Sequence, residues 1–165
     1  MTTDDMNTHD LISDDGLAML LLCSSFGTAQ PAPPDASAPS TLSEWNLLAR
    51  KIHASSLKRP AALAGQDAGN LARELQLGTD EAERIARLLD RSGRAALELD
   101  GLFSRGMWVA TRVDPHYPAR LRNTLKHQAP TVIFGAGERV LLTGHTVAVV
   151  GSRNSTPAAG TAVKR

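Results

Sequence analysis

Aromatic residues are scarce in this chain, at 4% of 165 residues. A core must therefore come from Leu, Ala, Val and Ile. Cysteine is scarcer still. The lone Cys23 excludes an intramolecular disulfide and any CxxC metal site. It reads as a small buried hydrophobe, and its solitude fits a reducing, cytoplasmic setting. No run approaches the roughly 18 apolar residues of a membrane span. The short run Leu17–Cys23 follows two aspartates, where a signal peptide has a positive flank, so it reads as one core-facing helix. His9, His53, His116, His127 and His145 form no i, i+4 pair and no HExxH, which removes a metal site. G-x-S-x-G is missing, and no nucleophile–base–orienter set is visible, so no catalytic residues are assigned and no enzyme is expected. GxGxxG and the Walker A spacing are also missing.

Charge of one sign is missing locally. Residues 1–40 hold six Asp and no Lys or Arg. Residues 41–101 are balanced, with nine basic and nine acidic side chains. Residues 102–165 hold nine basic residues against two acidic ones, Asp114 and Glu138. Such a local excess points to an anionic partner.

Three parts follow. Residues 1–40 comprise a poorly defined N-terminal helix over 14–26, with Ser13 as its cap, and a linker with four prolines at 30–40. Residues 41–105 form a helical domain. Thr41-Leu-Ser-Glu44 is a capping box opening a helix with Trp45, Leu48 and Ile52 on one face. Pro60 starts a short helix, and Asp67 or Ala68 starts another bearing Leu71, Leu75 and Leu77. Gly78 is expected as its C′ glycine, Thr79 as the cap of the next helix, and Gly93 as that helix's end. The paired helices around Gly78 carry balanced charge, which favours a plain helix pair over a duplex-binding element. Residues 106–165 read as α/β. Strands are expected at 107–112, 131–134 and 146–150, with a helix opened by Tyr117-Pro118 whose Leu121 and Leu125 face inward. Both tryptophans are expected in the core.

Thr146–Val150 is uniformly apolar and runs into Gly151-Ser152-Arg153. A glycine after a buried strand lets backbone N–H groups approach an anion. Arg153 adds a planar fork that grips phosphate through two bonds, and Ser152 and Asn154 add neutral donors. A strand covered on both faces needs parallel neighbours and crossover helices. Only twelve residues follow Arg153, so the parallel sheet is expected to be incomplete here.

Three segments carry a family resemblance. Trp108-Val-Ala-Thr-Arg-Val-Asp-Pro-His-Tyr-Pro-Ala-Arg-Leu121, Ala129-Pro-Thr-Val-Ile-Phe-Gly-Ala-Gly137 and Val147-Ala-Val-Val-Gly-Ser-Arg153, in that order, resemble the DNA-processing protein A family (DprA, also called Smf). Leu42–Arg50 and Glu81–Arg91 look like the helical N-terminal region of some members. The resemblance implies a sterile-alpha-motif-like or helix-hairpin-helix-like domain, then the truncated start of a Rossmann-like parallel α/β domain. It implies single-stranded-DNA binding without catalysis or cofactor, RecA recombinase loading during natural transformation, and a homodimer for the full-length parent. By position, the DNA-phosphate contact falls on Arg153, with Gly151, Ser152 and Asn154 shaping the turn. The alternatives are a nucleotide-binding or nucleotide-cleaving enzyme on a related fold, or a truncated chain without independent activity.

Overall fold

The computed structural model describes residues 12–32 and 37–144. Five helices come first: α1 (Asp14–Cys23), α2 (Leu42–Ala54), α3 (Ala68–Leu75), α4 (Thr79–Leu89) and α5 (Ser92–Phe103). Strand β1 (Met107–Thr111), helix α6 (Ala119–Leu125) and strand β2 (Val132–Ala136) follow. Short 3-10 turns lie at Pro60–Leu63, Lys126–Gln128 and Arg139–Thr143. The strand expected at 146–150 lies outside the described residues.

Helix α1 is the hub. Ala18, Met19, Leu20, Leu21 and Leu22 are all buried, so the helix is covered around its circumference. A helix that is apolar all round must be buried all round. It packs against α2, α4, α5, the Pro60–Leu63 turn and both strands. Its Met19, Leu21 and Leu22 share the main core with Trp45, Leu48, Ile52, Leu63, Leu71, Leu75, Ile85 and Leu88. Leu20 joins a second cluster with Ile12, Leu99 and Val109, which fastens β1 to α1 and α5. Arg91 closes the far end of α1. Its guanidinium donates to the carbonyls of Leu21 and Ser24, satisfying groups the helix leaves unpaired.

Three of the local signals at helix starts are realised, while Thr79, expected as the cap of α4, is not a cap. Ser13 caps α1 and Asp67 caps α3. The Thr41–Glu44 box forms in both directions, at 2.7 Å and 3.3 Å. Hydrogen bonds from Thr41, then the nearby Arg84, hold the Glu44 carboxyl below its usual range. Helix ends differ from expectation. Gln76, with φ 52°, takes the left-handed position after α3, because only three residues separate α3 from α4 and the reversal must begin at once. Gly78 is extended (φ −66°, ψ 155°) and is itself the N-cap of α4, so Thr79 is the first helical residue. Gly93 lies inside α5, because Asp90 keeps helical dihedrals and the chain needs no left-handed residue there.

The described sheet has two strands, β1 and β2, paired antiparallel with Val109 opposite Phe134. The sequence expectation was of a parallel α/β arrangement. The link between them, residues 112–131, holds the seven-residue α6 and a 3-10 turn, and the register set by the pairing is antiparallel. Alternation along β1 sends Val109 toward α1 and α5, and Ala110 toward Tyr117 and Ala129 on the α6 side. Leu121 is half-buried, whereas Leu125, expected to face inward, is 36% exposed on the last turn of α6.

One carboxylate binds the two ends of this arrangement. Asp114 is buried, and its Oδ1 accepts from Ser13 N (3.0 Å) and Ser13 Oγ (2.5 Å). Its Oδ2 accepts from Thr111 N (2.9 Å) and Thr111 Oγ1 (2.5 Å). Ser13 Oγ in turn accepts from Gly16 N. The charge also sits at the positive end of α1. A Cβ on Gly16 would stand 2.5 Å from both carboxylate oxygens, so the approach requires glycine. Asp114→Ala is expected to cost about 2–5 kcal/mol by stranding buried donors. Gly16→Ala should cost about 1–3 kcal/mol by forcing the carboxylate aside. Urea unfolding of the full chain checks both; wild-type midpoints would refute the tie.

Cys23, at the end of α1, is half-buried. Burial pushes its thiol up from 9.0 to about 12, against the opposing effects of Thr131 and Arg112. The fold thus favours the protonated thiol. Its contribution to stability is complete below pH 9.0 and is lost as pH climbs toward 12. Alkylation by iodoacetamide at pH 8 should be slow until the protein unfolds, as mass spectrometry can follow.

Candidate nucleic-acid interface

The residues assigned to the phosphate site from sequence, Gly151, Ser152, Arg153 and Asn154, lie outside the described residues. The structure does describe the platform before them, residues 105–144. It carries Arg105, Arg112, Arg120, Arg122, Lys126 and Arg139 against Asp114 and Glu138. The Asp114 carboxylate is buried and engaged by Ser13 and Thr111, so it offers little to balance the surface.

Three of these arginines are committed to the fold. Arg112 is half-buried and donates through Nη1 to the carbonyls of His127 (3.1 Å) and Ala129 (3.2 Å), and through Nη2 to Asn46 Oδ1 (2.5 Å). Asn46 Nδ2 donates to the same His127 carbonyl. This cluster staples α2 to the turn after α6. Burial lowers the Arg112 pKa, while nearby Tyr117 and Cys23 oppose that shift. Arg122 donates to the Asp114 carbonyl (2.7 Å), and its guanidinium carbon lies 5.5 Å from the Tyr117 ring centre. Its Nε is buried without a partner. Arg139 lies over Trp108, 5.3 Å from the ring centre, and burial lowers its pKa too. Arg105 and Lys126 are exposed, although Arg105 Nε reaches the Gly101 carbonyl.

The Asp114-x-x-Tyr117-Pro118 stretch is structural in this setting. Tyr117 is buried and its hydroxyl donates to the Pro130 carbonyl (2.8 Å), tying the start of α6 to the approach to β2. Burial raises the phenol pKa, with Arg112 and Arg122 opposing. Trp45 is a core residue as expected, at 2% exposure. Trp108 is not: it is half-buried, donates to the Gly137 carbonyl (3.0 Å), and packs flat on Gly135, opposite it in the sheet. The facing Gly135 was the available sequence signal, since a glycine across the ladder makes room for an indole.

Among the described residues, no group of three His, Cys, Asp or Glu could hold a metal ion. None of their helices is long and apolar enough to cross a membrane.

This platform, a short sheet carrying six basic side chains, suits a protein that handles nucleic acid. The family described as DNA recombination-mediator protein A has a model that matches residues 108–165, about a third of the chain. The resemblance to DprA is borne out over that stretch, which supports a role in DNA processing or recombination in general. No curated protein and no solved structure matches the chain.

The two kinds of cation should separate experimentally. Arg112→Ala is expected to cost about 1–3 kcal/mol in thermal or urea unfolding, because it frees carbonyls that the guanidinium now holds. Lys126→Gln should leave stability within about 0.5 kcal/mol. It should also weaken binding of an oligo-dT strand and flatten the salt slope by about 0.7 if it meets a phosphate.

Proposed function

We propose that this chain binds single-stranded DNA, without catalysis, as a recombination mediator of the DprA kind. The observation that carries the reading is the family match across 108–165, which includes the Gly151-Ser152-Arg153 turn. The excess of basic residues over 102–165 supports it, because phosphate contacts supply most of the affinity of sequence-independent binders. In this reading residues 106–165 belong to a Rossmann-like domain and residues 41–105 to a helical one. Backbone N–H groups at Gly151 and beyond meet a phosphate, Arg153 grips it through two bonds, and Ser152 and Asn154 add neutral donors. RecA recombinase and a second copy of the protein are its proposed protein partners.

Oligo-dT binding by fluorescence anisotropy tests this, with the wild-type chain beside Arg153→Ala. Loss of the two charge-assisted bonds, at least about 1.5 kcal/mol together, should weaken binding about tenfold or more at low salt. Equal affinity of the two proteins rejects the phosphate role of Arg153. Thermal stabilisation by mononucleotides with no response to oligo-dT would favour the nucleotide-enzyme reading instead.

A further inference from the structure

A cleft of about 630 Å³ opens on the helical side of the molecule, between α1, residues 61–67 and the junction of α4 with α5. Its floor is apolar: Ala18, Leu21 and Leu89 are buried there, and Leu17 and Ala86 are half-buried. One wall is Ala61, Ala64 and Gly65, whose side chains are too short to close it. Asp14, Asp67 and Asp90 line the same cleft and are exposed. No Lys or Arg lines it among the described residues. A second hollow of about 220 Å³ adjoins it, sharing Asp14 and Leu17 and adding Asp100 but no cation. The arginines nearest along the chain are engaged elsewhere: Arg59 with Asp15, Arg91 with the carbonyls of α1, and Arg94 with Glu98.

We propose that this cleft docks a basic amphipathic segment of a partner protein, with apolar side chains on the leucine floor and Lys or Arg on the aspartates. The volume lies within the roughly 300–1,000 Å³ of sites that enclose a small ligand or a few side chains. Charge decides the class of occupant. Carboxylates at the rim with no cation among them repel phosphate, so nucleic acid is disfavoured on this side. They attract an ammonium or guanidinium, and complementary charge fixes which partner docks and how fast it arrives. The floor decides between cations. A free polyamine would lay ammonium groups along an apolar surface, whereas a leucine-like side chain removes its own surface and the floor's from water together. Amphipathic segments are recognised in this way, by apolar anchors in a groove and charges at its edge. The proposal stands apart from the DNA reading. That reading uses the basic residues of 102–165, and the cleft is built from residues 14–92, so either can fail alone.

Fluorescence anisotropy of the full chain with a labelled peptide of repeated Leu-Arg-Arg-Leu units tests the assignment. Asp14→Asn, Asp67→Asn and Asp90→Asn together should weaken binding about tenfold, as the loss of three exposed ion pairs does. Asparagine at position 67 keeps a cap for α3. Ala64→Arg sets a cation in the exposed wall, removes no carboxylate, and should weaken binding as far. Either variant decides the matter if the other does not fold, which far-ultraviolet circular dichroism checks. A control with Asp80→Asn, Glu81→Gln and Glu83→Gln has the same net charge as the first variant, is altered outside the cleft, and should bind like wild type. Failure of wild type to bind the peptide at millimolar concentration overturns the proposal. Equal weakening in the control overturns it too, since the attraction would then belong to overall charge. Displacement of the peptide by an equal concentration of spermidine also overturns it, and makes a free polyamine the occupant.

Discussion

The buried carboxylate of Asp114 is the constraint on which the two halves of the structure depend. It receives four hydrogen bonds, two from Ser13 at the start of α1 and two from Thr111 at the end of β1. Burying a charge is costly unless its lone pairs are met, and here both oxygens are met twice. The carboxylate at once completes the cap of the central helix and closes the turn after β1. Gly16 lets it approach. The Tyr117 hydroxyl on Pro130 and the Arg122 bond to the Asp114 carbonyl then lock the segment that follows. A residue that reads as a family mark in the sequence is therefore a mark of architecture.

The basic character of residues 102–165 conceals a division of labour. Arg112, Arg122 and Arg139 hold carbonyls and aromatic faces, and their partners leave them little freedom to follow a flexible polymer. A guanidinium suits this use, since its fixed fork can serve several acceptors at once. Net charge counted along the sequence overstates the charge offered to a ligand. The long-range field survives, because a guanidinium bonded to neutral carbonyls keeps its charge. Encounter with a polyanion is helped by all the arginines, whereas grip belongs to those left exposed.

Helix starts were legible in the sequence because capping is local. Ser13, Thr41 with Glu44, and Asp67 each act within three residues of themselves. Buried faces of α2, α3 and α4 were legible for the same reason, through a spacing of three and four. Helix ends were less so: the left-handed turn after α3 fell on Gln76, since the short connection mattered more than the preference for glycine. What the sequence concealed was long-range. The apolar run Leu17–Cys23 announced a buried helix but not which elements surround it, because a proline-rich stretch separates it from its neighbours along the chain. The antiparallel pairing of β1 with β2 was hidden likewise, since two short apolar runs do not state their relative direction. Of the site, the basic platform was visible as composition. The commitment of its arginines to carbonyls and rings required coordinates.

The span of the Ser13–Asp114 tie has a consequence for how the protein is made. The partners stand 101 positions apart. On a ribosome adding roughly 5–20 residues per second, α1 emerges several seconds, up to some twenty, before the residue that completes its cap. During that interval the most apolar of the described helices lacks its carboxylate, while its packing partners in α2, α4 and α5 emerge one after another. The nascent chain thus carries a sticky segment for as long as the next hundred residues take to make. Its fate is set by how well it is shielded until residue 114 arrives.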